Sequence, residues 1–263
     1  MHAVETWKPS VARMYDYFLG GKDHYAADRD AAEKVLVIEP ETRVIAMQNR
    51  AFLRRVVRYL AREEGIRQFL DIGTGIPTME NVHDVAQRVA PESRVVYVDN
   101  EDNVLAHARA LLVGHRDAGP CAYVDADLRD PEAVLAGAAS MLDFSHPVAV
   151  LLFAILHFIP DEDDPWGVTV RLMQAVPAGS YLAVSHAMSA DLSAEQRAGL
   201  DEVYAATNAG GVTQRPIDGI ARFFDGLELV EPGLTNISDW RPEPGQDPHP
   251  TRRLFHGGVG RKG

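Results

Sequence analysis

The chain has 263 residues, 46% of them hydrophobic and 24% charged, and its 38 acidic against 26 basic side chains leave a net charge of −12. That length suffices for one sizeable core, and the acidity argues against tracking a nucleic-acid backbone, which needs Lys and Arg on phosphates. A single cysteine, Cys121, excludes an internal disulfide and fits a reducing cytoplasm. Met1 to Pro9 lack the apolar core of a signal peptide, and the apolar run 148–156 is well short of the roughly 20 residues that span a membrane as a helix. A cytoplasmic protein with no membrane or nucleic-acid partner is expected.

In chain order, residues 10–19 read as a helix with Met14, Tyr17 and Phe18 on one side; Gly20-Gly21 breaks it, and residues 23–37 form a second helix. This N-terminal helical segment, residues 1–40, is crowded with Arg13, Tyr15, Tyr17, Lys22, His24 and Tyr25. It is either a lid that carries chemistry or a hairpin packing its aromatics on the domain. Gly21-Lys22 is no phosphate-binding P-loop, because the upstream strand, the earlier spaced glycine and the following Ser or Thr are missing. Residues 41–62 predict a long helix with Ile45, Phe52, Val56 and Tyr59 on one face and solvated arginines on the other, ended by Gly65.

Phe69 to Thr78 is a short strand, an acidic residue, two glycines and a helix start. Val82, Val85, Ala86 and Val89 follow at helical spacing. Strands at 95–98, 122–124, 148–153 and 181–186 then alternate with helices at about 104–112, 132–141 and one opened by Asp164-Pro165, an N-cap followed by proline in the first turn. Strands alternating with helices mean an α/β, doubly wound, parallel sheet. Beyond it, 193–206 is a helix with a capping box from Ser193 and Gln196. Residues 208–214 read as a flexible connection and 218–224 as a short helix; 227–230 and 253–259 read as closing strands around a Pro-rich loop. Without repeats or a dividing linker, residues 1–263 are expected to form one domain: a lid (1–40), a cofactor core (66–187) and substrate-side elements (188–263).

Ligands in open α/β sheets bind beyond the carboxyl ends of the strands. Asp71 to Gly75, Asp99-Asn100, Asp125 to Leu128 and Ala154 to His157 should therefore face one crevice. Asp99 is placed to accept hydrogen bonds from both hydroxyls of a ribose, and Asp127 with Leu128 to meet the amine and the face of a purine. A nicotinamide cofactor needs a third small residue in Gly-x-Gly-x-x-Gly, where this chain has Thr78. Asp71, two residues before Gly73, also disfavours a pyrophosphate and favours a cofactor bearing an ammonium and a sulfonium.

Asp71-x-Gly73-x-Gly75, Asp99, Asp127-Leu128 and Phe153-Ala154-Ile155-Leu156-His157-Phe158 together resemble the successive motifs of class I S-adenosylmethionine-dependent methyltransferases. Tyr15 to Tyr25, Phe69 to Thr78, Tyr97 to Asn100, Leu156 to Asp161 and Arg222 to Val230 resemble, over nearly the full length, a bacterial family of predicted methyltransferases without an established substrate. The resemblance implies a Rossmann-like seven-stranded sheet, its last strand antiparallel, with S-adenosylmethionine across the strand ends. It implies that Asp71, Gly73, Thr74 and Gly75 lie near the methionine part, Asp99 and Asn100 at the ribose, Asp127 and Leu128 at the adenine, and Ala154 at the sulfonium. Pro77 stands where the broader class often has a third glycine.

Methyl transfer from a sulfonium needs a base only when the acceptor is protonated. The candidates are His157, Tyr25 and Lys22, and His157 also has a structural reading as a packed histidine. Tyr15 and Tyr17 either contact the methionine end or substrate, or are core aromatics. The acidic run 161–164 is read as a solvated loop and helix cap, and no metal is expected. A small-molecule methyltransferase and a non-catalytic S-adenosylmethionine-binding sensor both remain open at this point.

Overall fold

The computed structural model describes residues 5–77, 80–101, 104, 119–189, 191–243 and 254–263. Its helices are α1 (Val11–Phe18), α2 (Ala26–Ile38), α3 (Thr42–Arg62), α4 (Val82–Val89), α5 (Pro131–Ala138), α6 (Pro165–Gln174), α7 (Ala194–Ala205) and α8 (Ile217–Ala221). The strands are β1 (Gln68–Ile72), β2 (Arg94–Asp99), β3 (Cys121–Asp125), β4 (Ala149–Phe153), β5 (Tyr181–Ala187), β6 (Glu228–Leu229), β7 (Thr235–Asn236) and β8 (Phe255–Arg261). The helix expected from Leu105, Ala108, Leu111 and Leu112 lies outside the described residues, as do Thr78 and residues 244–250 of the Pro-rich loop.

The strands line up as β3-β2-β1-β4-β5-β8-β6, with β7 also paired to β8. β1 to β5 are parallel, and β8 is antiparallel to β5. β6 pairs with the end of β8 at Gly260 and Arg261, and β7 with its start at His256 and Gly257. The eight strands therefore fill seven positions, because a turn in which Gly233 N–H donates to Val230 O splits the outer strand. From β1 the chain runs outward to β2 and β3, then returns to β4 on the other side of β1. This reversal is where a doubly wound sheet opens a ligand crevice.

Alternation along each strand sends successive side chains to opposite faces. Leu70 and Ile72 of β1, Val96 and Val98 of β2 and Val150 and Leu152 of β4 enter one core with Val134 of α5 and Leu172 of α6. Phe69, Val95, Tyr97, Ala149 and Leu151 enter the other, against Phe52 and Val56 of α3, Val85 of α4 and Trp240. A third cluster, outside the sheet, joins Met14 and Phe18 of α1, Ala32 and Val35 of α2, Ala46 of α3 and Leu200 of α7 into a roof over the strand ends.

The arginine face of α3 departs from the solvated surface expected of it. Arg55 is buried and donates from Nε to Trp240 O (2.8 Å) and from Nη2 to Ile237 O (2.5 Å). Trp240 of the closing segment packs on Phe52 and Tyr59 beside Arg55, so this one arginine is covered and supplies donors that buried carbonyls need. Residues 208–214, read as a flexible connection, are tied at both ends: Asn208 N–H donates to Pro9 O (2.9 Å) and Thr213 N–H to His157 O (2.6 Å). Among the described residues, no helix is long and apolar enough to cross a membrane.

Candidate active site

Beyond β1 the chain turns through Gly73 (φ +74°) and Gly75 (φ +64°), a region open chiefly to glycine. The turn is fastened to β2, since Gly73 N–H donates to Val98 O (2.8 Å) and Gly75 N–H to Asp99 Oδ2 (2.9 Å). A Cβ on Gly73 would stand 2.5 Å from Ile155 Cγ1, so the turn lies hard against the exit from β4. At that exit Ala154 takes φ +54°, which costs free energy for a residue with a Cβ. Its N–H is held by Ser185 O (3.1 Å) and Ser185 Oγ (3.0 Å) of β5.

These turns border a cavity of about 290 Å³. Tyr15, Asp71, Gly73, Thr74, Gly75, Asp99, Asn100, Asp127, Leu128, Ala154 and His157 all line it. Lys22 and Tyr25 do not: both face solvent, and the Tyr25 ring lies under the Arg13 guanidinium at 5.3 Å. The motif that contains them is occupied with holding the roof together. Arg13 Nε pairs with the fully buried Asp28 at 2.7 Å. Asp16 accepts from Asp23 N–H (2.9 Å) and contacts His24 Nδ1 (3.0 Å).

Asp71 is 6% exposed, and no hydrogen bond reaches its carboxylate among the described residues. Burial raises its pKa to about 7, with Arg50 opposing and Asp99 adding to the rise. Asp99 is raised to about 6, first by burial and then by Glu101, against the N–H donors of Gly75, Glu101 and Asn100. Its Oδ1 accepts from Glu101 N–H (3.0 Å). Gly75 N–H and Glu101 N–H are its two well-formed hydrogen bonds, one to each oxygen, with Asn100 N–H close by, so acceptor capacity remains. Asp127 differs: Oδ1 accepts from Arg129 N–H and Nε (2.9 Å each), and Oδ2 from Asn100 Nδ2 (2.9 Å) and Arg129 Nη2 (2.6 Å). These four contacts fill its acceptor capacity and, Arg129 foremost, hold its pKa low.

His157, beyond β4, is 6% exposed, and neither ring nitrogen is hydrogen-bonded among the described residues; Nδ1 is fully buried. The ring touches Phe158 (centroids 4.4 Å), His186 (5.5 Å) and Phe255 (5.6 Å). Burial, then His186 and Arg215, hold its pKa well below 6.5, so it is neutral near pH 7. Arg215, 2% exposed, fixes the turn that carries it: it donates to Leu156 O (2.9 Å) and Ile159 O (2.8 Å) and pairs with Asp161 at 2.6 Å. Its Nη1 also meets His186 Nε2 at 2.8 Å. A guanidinium only donates, so His186 accepts there and carries its proton on Nδ1, donated to Ala187 O (2.7 Å). The acidic run thus resolves into Asp161 on Arg215 and Asp164 capping α6 through Gly167 N–H.

Four of the contributing residues escaped the sequence reading. Arg50 lines the cavity opposite Asp71. Asn49 links Tyr15 Oη (3.0 Å) to Ser185 Oγ (2.7 Å), joining roof to sheet. Glu101 accepts from Ser10 Oγ (2.6 Å) at the start of α1. Tyr204 comes from α7. A signal existed for Asn49 and Arg50: with Ala46 and Leu53 they fall at helical spacing on one face, so polar residues interrupt a buried stripe.

Three carboxylates at successive strand ends, a glycine turn between two of them and a buried histidine beyond β4 match the layout expected of a class I methyltransferase. Residues 1–263 match the S-adenosyl methyltransferase family over their whole length. The chain belongs to that family. A DUF574 family protein from Streptomyces avermitilis is 42% identical, with a TM-score of 0.92 over 99% of this chain and 100% of that one. A Thermobifida fusca protein assigned as a methyltransferase is 39% identical, with a TM-score of 0.89 over 98% and 96%. An O-methyltransferase family protein from Burkholderia thailandensis, 16% identical over 98% and 65% with a TM-score of 0.53, shares the fold. No curated protein sequence matches significantly. The chain is thus an S-adenosylmethionine-dependent methyltransferase of open substrate, and no observation favours the non-catalytic sensor.

Proposed function

We propose that this methyltransferase binds S-adenosylmethionine across the ends of β3, β2 and β1 and methylates a small molecule held beyond β4, with His157 as the base. The observation that carries the reading is a pair of buried, unpartnered groups in one cavity: the Asp71 carboxylate and the His157 imidazole. Groups of that kind are ordinarily satisfied, and a ligand supplies what they lack.

Asp71 and Arg50 offer the two charges that complement an amino acid, a carboxylate for the ammonium and a guanidinium for the carboxylate. Gly73, Thr74 and Gly75 give the methionine part close backbone approach, with Tyr15 over it from the roof and Ala154 at the sulfonium side. Asp99 meets the ribose hydroxyls with its remaining acceptor capacity, beside Asn100. Leu128 covers the adenine, and Asp127 accepts from the adenine amine once Arg129 or Asn100 turns aside. Four acidic and two basic side chains line the cavity, which suits a cationic cofactor. When bound, the cofactor supplies an electrophilic methyl group on a good leaving group. The protein contributes alignment and exclusion of water, and neutral His157 takes a proton from the acceptor.

All of this is proposed to lie in one domain, with residues 66–187 as the cofactor core, 1–40 (α1 and α2) as the lid and 188–263, α7 among them, as the substrate-side elements. Net charge, the single cysteine and the bacterial source of both similar proteins support a bacterial, cytoplasmic enzyme acting on a small molecule rather than nucleic acid. The test is incubation with methyl-labelled cofactor and a metabolite extract. Labelled product is expected, with turnover lower by roughly a hundredfold or more in His157→Gln at unchanged cofactor affinity. Full turnover by that variant would remove the base.

A further inference from the structure

The cavity is divided by charge, and the division speaks to the acceptor. The strand order sets β3, β2 and β1 on one side and β4, β5 and β8 on the other. Asp71, Asp99, Glu101, Asp127 and Arg129 line it from the first side, and Arg50 faces Asp71. The wall beyond β4, with α1 and α7 above it, contributes no charged lining side chain among the described residues; the nearest charges are Arg50 of α3, on the Asp71 side, and Arg215 behind His157.

That wall is aromatic. Tyr204 touches Phe158 (5.7 Å between centroids), Phe158 touches His157, and His157 touches Phe255. Most of its polar side chains are already committed. Tyr15 Oη donates to Ala46 O (3.1 Å) and accepts from Asn49. Asn208 Oδ1 accepts from Val11 N–H (2.9 Å), and Thr42 Oγ1 donates to Glu39 O (2.8 Å). Three groups keep open hydrogen-bonding capacity among the described residues: the His157 ring, Tyr204 Oη and the Asn208 Nδ2 amide. Burial alone raises the Tyr204 pKa, to about 12, so the phenol stays protonated and able to donate.

We infer that the methyl acceptor is an uncharged, planar aromatic compound whose hydroxyl group meets His157 and Tyr204. An ionised acceptor would meet no counter-charge lining this wall, since Arg215 behind it is closed on Asp161, and that is unfavourable. Rings on three elements supply flat faces and edges for another ring. Two unpartnered groups on one aromatic wall, each against Phe158, one accepting and one donating, match a hydroxyl. In the transfer, an oxygen lone pair forms the O–CH₃ bond while the CH₃–S bond breaks and its electron pair goes to sulfur. The hydroxyl proton passes to His157, leaving a methyl ether and a neutral thioether; the positive charge then sits on the His157 imidazolium, which burial disposes to give its proton up to solvent.

This inference rests on the cofactor assignment above, so the experiment separates the two. The full chain is first titrated calorimetrically with S-adenosylhomocysteine. Then, with that ligand saturating, it is titrated with 2-naphthol, 2-naphthoate and 2-naphthylmethylamine, which share a ring system and differ in charge. The expected result is naphthol binding at least tenfold tighter than either charged probe. Tyr204→Phe is expected to weaken naphthol about fivefold while S-adenosylhomocysteine stays within twofold. A charged probe binding as well as naphthol, or no naphthol binding to a protein that takes S-adenosylhomocysteine, overturns the inference. A protein that does not take S-adenosylhomocysteine overturns the cofactor assignment, and this inference with it.

Discussion

Replacing Asp71 by Asn separates the two things this carboxylate does, because its effects on folding and on binding have opposite signs. In the free protein, burial first, opposed by Arg50 and reinforced by Asp99, lifts its pKa from 3.8 to about 7. Each unit corresponds to about 1.4 kcal/mol between the two protonation states, so keeping the group charged above pH 7 costs on the order of 4 kcal/mol. The folded pKa lies above the unfolded one, so the folded state binds more protons between pH 3.8 and about 7, and stability falls as pH rises through that window. An amide carries no such charge, although burying it recovers only part of the difference. Asp71→Asn should stabilise the ligand-free protein at pH 8 by about 1–3 kcal/mol, or roughly 2–4 °C in Tm for each kcal/mol at this chain length.

Cofactor binding should move the other way. Removing one member of a buried ion pair costs about 2 kcal/mol or more, so S-adenosylhomocysteine should bind Asp71→Asn at least roughly thirtyfold more weakly. The wild type should also lose affinity as Asp71 takes up its proton. With a free-state pKa of about 7, Asp71 alone should raise Kd roughly eightfold from pH 7.5 to pH 6, and Asp99, at about 6, roughly twofold more; the variant should show only the smaller change due to Asp99. Calorimetric titration across that pH range and a thermal melt decide the matter. A variant that is less stable and binds as well as the wild type would refute the account of Asp71.

Asp99→Ala should weaken S-adenosylhomocysteine by two orders of magnitude, since it removes the acceptors opposite the ribose and also frees the Gly75 N–H that orders the glycine turn; unchanged affinity by calorimetry would mean that the ribose lies elsewhere. Arg215→Met should cost about 3–5 kcal/mol of stability, because Leu156 O and Ile159 O lose buried donors, and a denaturant midpoint within error of the wild type would contradict that. Gly21→Ala should loosen the roof, as its Cβ would lie 1.8 Å from Asp16 Oδ1. Faster hydrogen exchange confined to α1 and α2 is the signature, and exchange unchanged there would count against the hairpin reading of the motif.

Much of the fold was legible in local pattern. The alternation of β1, β2, β4 and β5 with helices, the capping box at Ser193 and the Asp164-Pro165 start of α6 are short-range signals, and the structure follows them. The crevice at the strand ends was legible for a related reason. Strand-end carboxylates and a glycine turn are tied to sheet topology, and parallel pairing in register aligns those ends, as in Asp99 opposite Asp125. The outer strand was legible in part: the strand read at 227–230 contains β6, whereas β7 was missed, because that division depends on where a turn falls against β8.

Chain order alone therefore sufficed for the α/β class, the positions of Asp71, Asp99 and Asp127, and the cofactor they imply, since each rests on residue type and near-neighbour spacing. It gave no access to partners distant in sequence. Arg55 looked like a surface arginine until Trp240, 185 residues away, came to lie over it. Tyr25 and Lys22 looked as available as His157, and only the packing of α1 on α2 turns them to solvent. The neutrality of the wall beyond β4 is likewise a tertiary property. It arises because uncharged side chains from α1, α7 and the start of β8 converge there, and because burial keeps His157 neutral.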